Sequence, residues 1–349
     1  MLKERHFGLD IIRAFAISIV LWQHCNVITS YLPYSLPNVF SKLNLIDGVD
    51  LFFVLSGFLI GRILLKTEWT NYTSILAFWK RRLWRTLPNY FLFLIINLIL
   101  LFINISPGLK SHAVLYYFVF LQNLHKPVDV FFWESWSLCI EEWFYLLFPL
   151  TLFLLYKLNK NKNIMFCSSI ILFFIFSVSA KYHYIQSTNH VDVDLYLRKL
   201  AITRFDTLGF GLLIALVDIN FKNIVLKLKW LGLLLFGSYV IFGDMPLKNN
   251  LYIIHFLYGA LACSGLLIFC YSFSSSNKTL TLLAQFVSKI SYSIYLIHLP
   301  ILYIFNYAVS KDYSNMPLIY LTSYIFTVIG LSALNYKYFE SYFLKLRDE

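Results

Sequence analysis

The stretch SLCIEEWFYLL, Ser137 to Leu147, places two neighbouring glutamates, Glu141 and Glu142, inside a run that otherwise reads as hydrocarbon. A carboxylate at such a place marks either chemistry or a structural ion pair, because an unpaired charge there is expensive. Adjacent helical residues point about 100° apart, so the two cannot face one cavity squarely. Ser137, Glu141 and Tyr145 form one polar stripe. Arg13 and His24 are eleven residues apart in the first apolar run. That spacing is three turns plus roughly 20°, so they share a helix face about 16 Å apart along the axis. Histidine is the side chain that exchanges a proton near neutral pH, which suits a general base; a core imidazole with a satisfied hydrogen bond is the plainer alternative. A co-facial Arg13 favours a polar channel running inward.

Further groups need the same weighing. In DGVDLFFVLSGFLIG, Asp50, Val54, Gly57 and Gly61 lie on one face. The glycines allow close helix contact. Asp50 either faces the same cavity as His24 or caps its helix, where a carboxylate is favoured. Ser56 points away from Asp50; it is a weak nucleophile, and bonding back to a carbonyl is its plainer role. KRRLWR (Lys80 to Arg85) either anchors the chain at the membrane surface or grips phosphates through Arg81, Arg82 and Arg85. Arg204 and Asp206 open a later span, and His298 lies in SYSIYLIHLP.

The elements that must position these groups are transmembrane helices. Of the 349 residues, 59% are hydrophobic and 13% charged, against roughly 25% charged in soluble domains. Mean hydropathy is +0.67. Apolar runs of 18 or more residues recur, each long enough to cross a bilayer of about 30 Å, and none alternates as barrel strands do. The expected fold class is all-α: a polytopic transmembrane helix bundle forming one integral-membrane domain over 1–349. The expected spans are 8–28, 47–66, 86–105, 136–156, 164–180, 204–220, 230–243, 251–272, 283–305 and 317–338. Segment 112–124 is short for a crossing and reads as re-entrant or interfacial.

The net charge of +11 does not imply a nucleic-acid partner, because the basic residues cluster in connections between apolar runs. With the N-terminus inside, Arg62, Lys66, Lys80, Arg81, Arg82 and Arg85 fall on the cytoplasmic side. So do Lys157 to Asn163, Lys222, Lys227, Lys229, Lys337, Lys345 and Arg347, provided 112–124 does not cross. Ten crossings with both termini cytoplasmic follow. Glu141 and Glu142 then lie one to two turns below the external surface. The external stretches 29–46, 106–135 and 181–203 are expected to choose the acceptor. The five cysteines all fall in apolar segments and have no metal-ligand or disulfide spacing. The basic start, MLKERHFGLDIIRAF, precedes an apolar run with no small-residue cleavage site and reads as a retained first helix.

Six stretches in order carry a resemblance: GLDIIRAFAISIVLWQH, DGVDLFFVLSGFLI, RRLWRTLPNYF, WSLCIEEWFYLLFPL, RFDTLGFGLLIA and SYSIYLIHLPIL. Together they resemble the membrane-bound acyltransferase-3 family, which O-acylates sugars and other acceptors, many in bacterial surface polysaccharides. The resemblance spans Leu9 to Leu302. It implies that Arg13 and His24 are the family's Arg-x10-His pair, that Arg82 and Arg85 are its Arg-x-x-Arg element, and that Glu141 and Glu142 are its paired glutamates. Trp143 stands where Gln is common. The resemblance also implies acetyl-coenzyme A as acyl donor from the cytoplasm, a multi-pass protein of a bacterial inner (plasma) membrane, and a glycan or lipid-linked sugar as acceptor. Some members carry an extra C-terminal hydrolase-like domain; this sequence ends eleven residues after its last expected span, so the expectation is a membrane domain acting alone or with a separate partner.

The expected reaction moves an acetyl group from acetyl-CoA to a hydroxyl of a surface glycan, such as lipopolysaccharide O-antigen, with no metal. The coenzyme A head sits near Arg82 and Arg85 and its arm beside Arg13. His24 is the general base, and Glu141 or Glu142 orients its imidazole while the other pairs with Arg204 or another cation. Succinyl or other acyl transfer is an alternative, as is a covalent acyl-enzyme on His24 or Cys25, although Cys25 points off the Arg13–His24 face. The rival function is a proton-coupled sugar or lipid transporter, which intramembrane His, Asp and Glu would also suit. Such transporters often contain paired repeats, and no repeat is evident.

Overall fold

The computed structural model describes residues 6–30, 46–69, 72–108, 113–127, 130–187, 192–243, 251–309, 312 and 314–348, without the side chains of Val27 and Lys222. The twelve principal helices, in chain order, are α1 (Phe7–His24), α2 (Gly48–Lys66), α3 (Thr73–Phe102), α4 (Val114–Phe118), α5 (Ser135–Leu158), α6 (Lys162–Ser187), α7 (Phe205–Lys227), α8 (Lys229–Phe242), α9 (Leu251–Tyr271), α10 (Lys278–Ala308), α11 (Pro317–Asn335) and α12 (Ser341–Asp348). No strand occurs among the described residues. The fold is an all-α polytopic bundle. Eight of its helices, counting α11 and α12 as one continuous rod, are long and apolar enough to cross a membrane. The other two expected spans coincide with α7, kinked at Phe221, and the 14-residue α8. The expected acceptor-selecting stretches 29–46, 106–135 and 181–203 fall partly outside the described residues.

Segment 113–127 contains only the five-residue helix α4 and turns, too short to cross. It is tied to its neighbours by polar contacts: Tyr90 donates to the Tyr117 carbonyl and Tyr117 to the Phe131 carbonyl. These bonds satisfy the carbonyls of Tyr117 and Phe131 inside protein.

One of the closest helix contacts joins α2 to α7. A Cβ on Gly57 would stand 2.1 Å from the Leu208 carbonyl oxygen, and one on Gly211 would stand 2.0 Å from that of Val54. Only glycine admits that approach, so on the Gly57–Gly61 face read from the sequence Gly57 packs backbone to backbone on α7, while Gly61 packs against the side chains of Ala215 and Leu212. This crossing fixes α2, whose first turn reaches one end of the site and whose middle lines the other. The start of α2 is capped by Asp47, whose carboxylate accepts from Val49 N–H, and not by Asp50.

Candidate active site

Two cavities approach each other inside the bundle. The larger, of about 800 Å³, is lined by Arg13, Ser56, Arg82, Arg85, Ser137 and Glu141 among others. The smaller, of about 350 Å³, is lined by His24, Trp133, Glu134, Arg198, Lys199 and His298 among others. Val49 and Tyr295 line both cavities and so form the wall between them. The Tyr295 hydroxyl is pinned: it donates to the Glu134 carbonyl at 2.9 Å and lies 2.6 Å from Ser137 Oγ.

The larger cavity is cationic. Arg13 donates to Ser288 Oγ at 3.1 Å, and Ser288 donates in turn to Asp10, which fixes the guanidinium at the α1–α10 contact. Arg82 stacks over the rings of Phe78 and Tyr145, 5.6 and 5.4 Å from their centroids. Stacking of this kind suits arginine and not lysine. Arg85, one turn on, lines the same cavity, whereas Arg81 is exposed and does not. Of the three arginines expected around a phosphate group, the structure therefore gathers Arg82 and Arg85 with Arg13.

The glutamates sit elsewhere than expected. Glu141 lines the arginine cavity and accepts from Ser56 Oγ at 2.7 Å. Glu142 lies beside Thr86. Neither lines the His24 cavity, so the expected carboxylate partner of the imidazole is not among them. The physical reason is depth. Glu141 is seven residues, about 10 Å, further along α5 than Glu134, and the arginine cavity reaches up to meet it. Ser56 bonds to this carboxylate and not back to a carbonyl. Trp143 donates to the Phe120 carbonyl at 2.7 Å.

Asp50 is also displaced from the expected site. It forms a buried ion pair with Arg204, while Asp206 pairs with Lys181. Arg204 is thus paired by Asp50 and not by a glutamate of α5. Neither cavity is lined by any of these four. Cys25 is buried and lines neither cavity.

In the smaller cavity the imidazole geometry is informative. His24 Nδ1 lies 2.8 Å from the Val20 carbonyl oxygen. A carbonyl only accepts, so Nδ1 carries the proton, and in the neutral ring Nε2 keeps its lone pair. That tautomer is the one a general base needs. The His298 ring meets His24 edge to face, with centroids 4.7 Å apart. The cations beside them are compensated. Arg198 pairs with Asp47 and Asp194, and Lys199 with Asp194. Burial works against ionisation of Asp47, but the Arg198 guanidinium outweighs it and holds the carboxyl below its ordinary range.

The residues that sequence reasoning missed are Glu134, Arg198 and Lys199. Glu134 precedes α5 and is only 2% exposed, yet neither carboxylate oxygen has a well-formed hydrogen bond among the described residues. Burial pushes its pKa up to about 8. The signal available was the order Trp133-Glu134-Ser135-Trp136, a carboxylate between two large rings immediately before an apolar span. Among the described residues no group of three or more His, Cys, Asp or Glu side chains is arranged to hold a metal.

Residues 6–336 match the family described as acyltransferase domain, Acyl_transf_3. The chain belongs to this acyltransferase family. The O-acetyltransferase OatA of Staphylococcus aureus (strain NCTC 8325 / PS 47) is 30% identical over 335 residues, covering 86% of this chain and 51% of that protein. The peptidoglycan O-acetyltransferase OatA of Listeria monocytogenes serovar 1/2a is 32% identical over 173 residues, 45% of this chain and 26% of that protein. An uncharacterized protein of Haemophilus influenzae is 29% identical over 223 residues, 58% of this chain and 88% of that protein. The chain spans about half the length of the Staphylococcus relatives it matches. No solved structure matches. The acyltransferase match embraces Arg13, His24, Arg82, Arg85 and both α5 glutamates.

Proposed function

We propose that this multi-pass acyltransferase is an inner-membrane O-acetyltransferase that moves an acetyl group from cytoplasmic acetyl-CoA to a hydroxyl of an envelope glycan. Lipopolysaccharide O-antigen and peptidoglycan are the two acceptor types in view, the second because a relative is named for it. The observation that carries the reading is the pair of cavities meeting at Val49 and Tyr295, one lined by Arg13, Arg82 and Arg85 and the other by His24. The arginines suit the phosphates of coenzyme A, since guanidinium groups bind phosphate bidentately. The thioester end is directed to the Tyr295 wall, and the acceptor hydroxyl enters the His24 cavity. Displacement of the Tyr295 ring joins the two.

The chemistry then balances through one histidine. His24 Nε2 takes the proton of the acceptor hydroxyl as its oxygen attacks the thioester carbonyl carbon. The tetrahedral intermediate collapses with cleavage of the C–S bond, and the coenzyme A thiolate receives that proton from His24. Such a positioned base contributes a factor of about 10²–10⁴. The Val20 carbonyl, accepting from Nδ1, takes the orienting role that a carboxylate fills in other triads. Direct transfer is favoured over an acyl-cysteine, because Cys25 lines neither cavity.

Mass spectrometry of envelope glycans from cells with and without the protein tests this function. A loss of one acetyl group per repeat is expected in its absence. An unchanged acetyl content, or a loss of a different acyl mass, would overturn the acetyl-transfer reading.

A further inference from the structure

The His24 cavity holds a polar group for which the reaction chemistry above has no use. Glu134 is 2% exposed and His298 1% exposed. Among the described residues, both carboxylate oxygens of Glu134 and both ring nitrogens of His298 lack a well-formed hydrogen bond. The Glu134 backbone N–H and the carbonyls of Ile294 and Tyr295 are the backbone groups that approach them. Buried polar groups are paired in more than nine cases in ten, counting water, so an unpaired carboxyl in a cavity wall is open to a hydroxyl, whether of water or of a ligand. Burying it unpaired weakens the empty protein.

The backbone supports the same conclusion. Phe132, two residues before Glu134, has φ of 43°. A bulky side chain in the left-handed region is strained, and strain of this kind persists where the surroundings impose it, commonly at ligand sites. Here the buried Phe131–Phe132 pair, packed on Tyr117 and Tyr90, holds the turn that presents Glu134.

The charges define the ligand class. Arg198 and Lys199 are already matched by Asp47 and Asp194, so the cavity offers no spare cation to an anionic group. What it offers is a carboxyl and an imidazole with open hydrogen-bonding positions. Neutral hydroxyls, which donate and accept, satisfy both.

We propose that Glu134, with His298 beside it, is the acceptor-positioning residue: it holds an uncharged sugar hydroxyl next to the one that His24 deprotonates. This rests on the acetyl-transfer reading above and deepens it, since it assigns the acceptor unit at the site to a neutral, polyhydroxylated sugar ring. Glu134 acts on the acceptor alone and plays no part in donor binding.

The test uses the purified full chain in nanodiscs, acetyl-CoA, and envelope glycan isolated from cells lacking the protein as the titrated acceptor. Glu134→Leu removes the carboxyl at similar volume, and Glu134→Gln keeps a hydrogen-bonding head. The acceptor KM is expected to rise at least tenfold in Glu134→Leu and by less than threefold in Glu134→Gln, with acetyl-CoA KM unchanged in both. The melting temperature of empty Glu134→Leu is expected to equal or exceed that of the wild type, because an unpaired buried carboxyl has gone. A structural role would instead lower the melting temperature and leave the KM values alone. An unchanged acceptor KM in Glu134→Leu, with the wild type active, overturns this assignment only. No transfer by the wild type to that glycan overturns the acetyl-transfer reading itself, and the assignment with it.

Discussion

Two buried polar regions lie at neighbouring depths in the bundle, and they are built on opposite rules. Between α2, α6 and α7, Asp50 pairs with Arg204 and Asp206 with Lys181. Each charge there has a counter-charge, and the guanidinium of Arg204, whose Nε and Nη1 make no hydrogen bond among the described residues, lies over the rings of Phe53 and Phe256. In the His24 cavity, Glu134 and His298 are as deeply buried but keep open hydrogen-bonding positions. A paired cluster is closed to ligands and fixes how helices sit; an unpaired one is a place where something else must bind. Burial of an ionisable group inside a membrane protein therefore does not by itself mark a reacting site. What marks Glu134 is that it has no ion-pair partner among the described residues and faces a cavity, whereas Arg204 is paired and lines neither cavity.

Substitutions can break or sharpen that contrast. Among changes that leave His24 in place, the largest effect is expected from Arg204→Met, which strands Asp50 and should destabilise the protein by about 3–5 kcal/mol. The double variant Asp50→Leu with Arg204→Met should recover most of that loss, measured by thermal unfolding in detergent. A double variant no more stable than the single one would show that the pair does more than neutralise itself. Changing both Arg82 and Arg85 to Gln should leave unfolding almost untouched and weaken acetyl-CoA binding about 10–100-fold, since charge-assisted bonds contribute about 1.5–3 kcal/mol. Arg82→Lys should retain part of the affinity, because lysine lacks the planar fork that stacks between Phe78 and Tyr145. Unchanged binding in the double Gln variant would reduce these arginines to surface anchors.

Smaller effects come from the wall and the rim. Tyr295→Phe removes the hydroxyl that holds Ser137 and the Glu134 carbonyl. The expected loss is about 0.5–1.5 kcal/mol in stability, with a measurable rise in acetyl-CoA hydrolysis as water passes the wall. Hydrolysis at the wild-type rate would mean that the wall does not depend on that hydroxyl. The smallest effect is expected at the half-exposed Asp194. Burial opposes its ionisation, but the bond from Lys199 and the charge of Arg198 hold its carboxyl below the ordinary 3.8. A depressed folded-state pKa contributes stability above 3.8 that is lost as pH falls through the folded value. Asp194→Asn should therefore flatten the acid side of the stability curve and change stability at neutral pH by less than about 1 kcal/mol. An acid limb identical to that of the wild type would mean that the pairs of Asp194 contribute nothing.

The helices were legible because a bilayer imposes a length and a hydropathy that the sequence must write out plainly. The Gly57–Gly61 face was legible for a similar reason, since close backbone contact admits so few residues. The depth of a polar group was harder. Glu141 and Glu134 are two turns apart on one chain segment, and only the three-dimensional reach of the arginine cavity assigns them to different chambers. Asp47 and Asp50 are three residues apart, and either could have capped α2; packing on Arg204 decided it. Glu134, Arg198 and Lys199 were passed over because they lie outside the apolar spans, where a charge is ordinary. It is the burial of Glu134 and Lys199, and the partial burial of Arg198, beneath residues 120–127, 130–134 and 193–203 that makes them notable, and beyond the Trp133-Glu134-Ser135-Trp136 order no local pattern signals it.

The most direct test of the account is acetyl transfer by His24→Gln, with acetyl-CoA binding measured on the same nanodisc sample. Glutamine can hydrogen-bond but cannot take up a proton near neutral pH. Transfer to the envelope glycan should fall by a factor of about 10²–10⁴ while donor affinity and melting temperature stay at wild-type values. Turnover within a few-fold of the wild type would contradict the assignment of His24 as the base and leave it a polar group in the cavity wall.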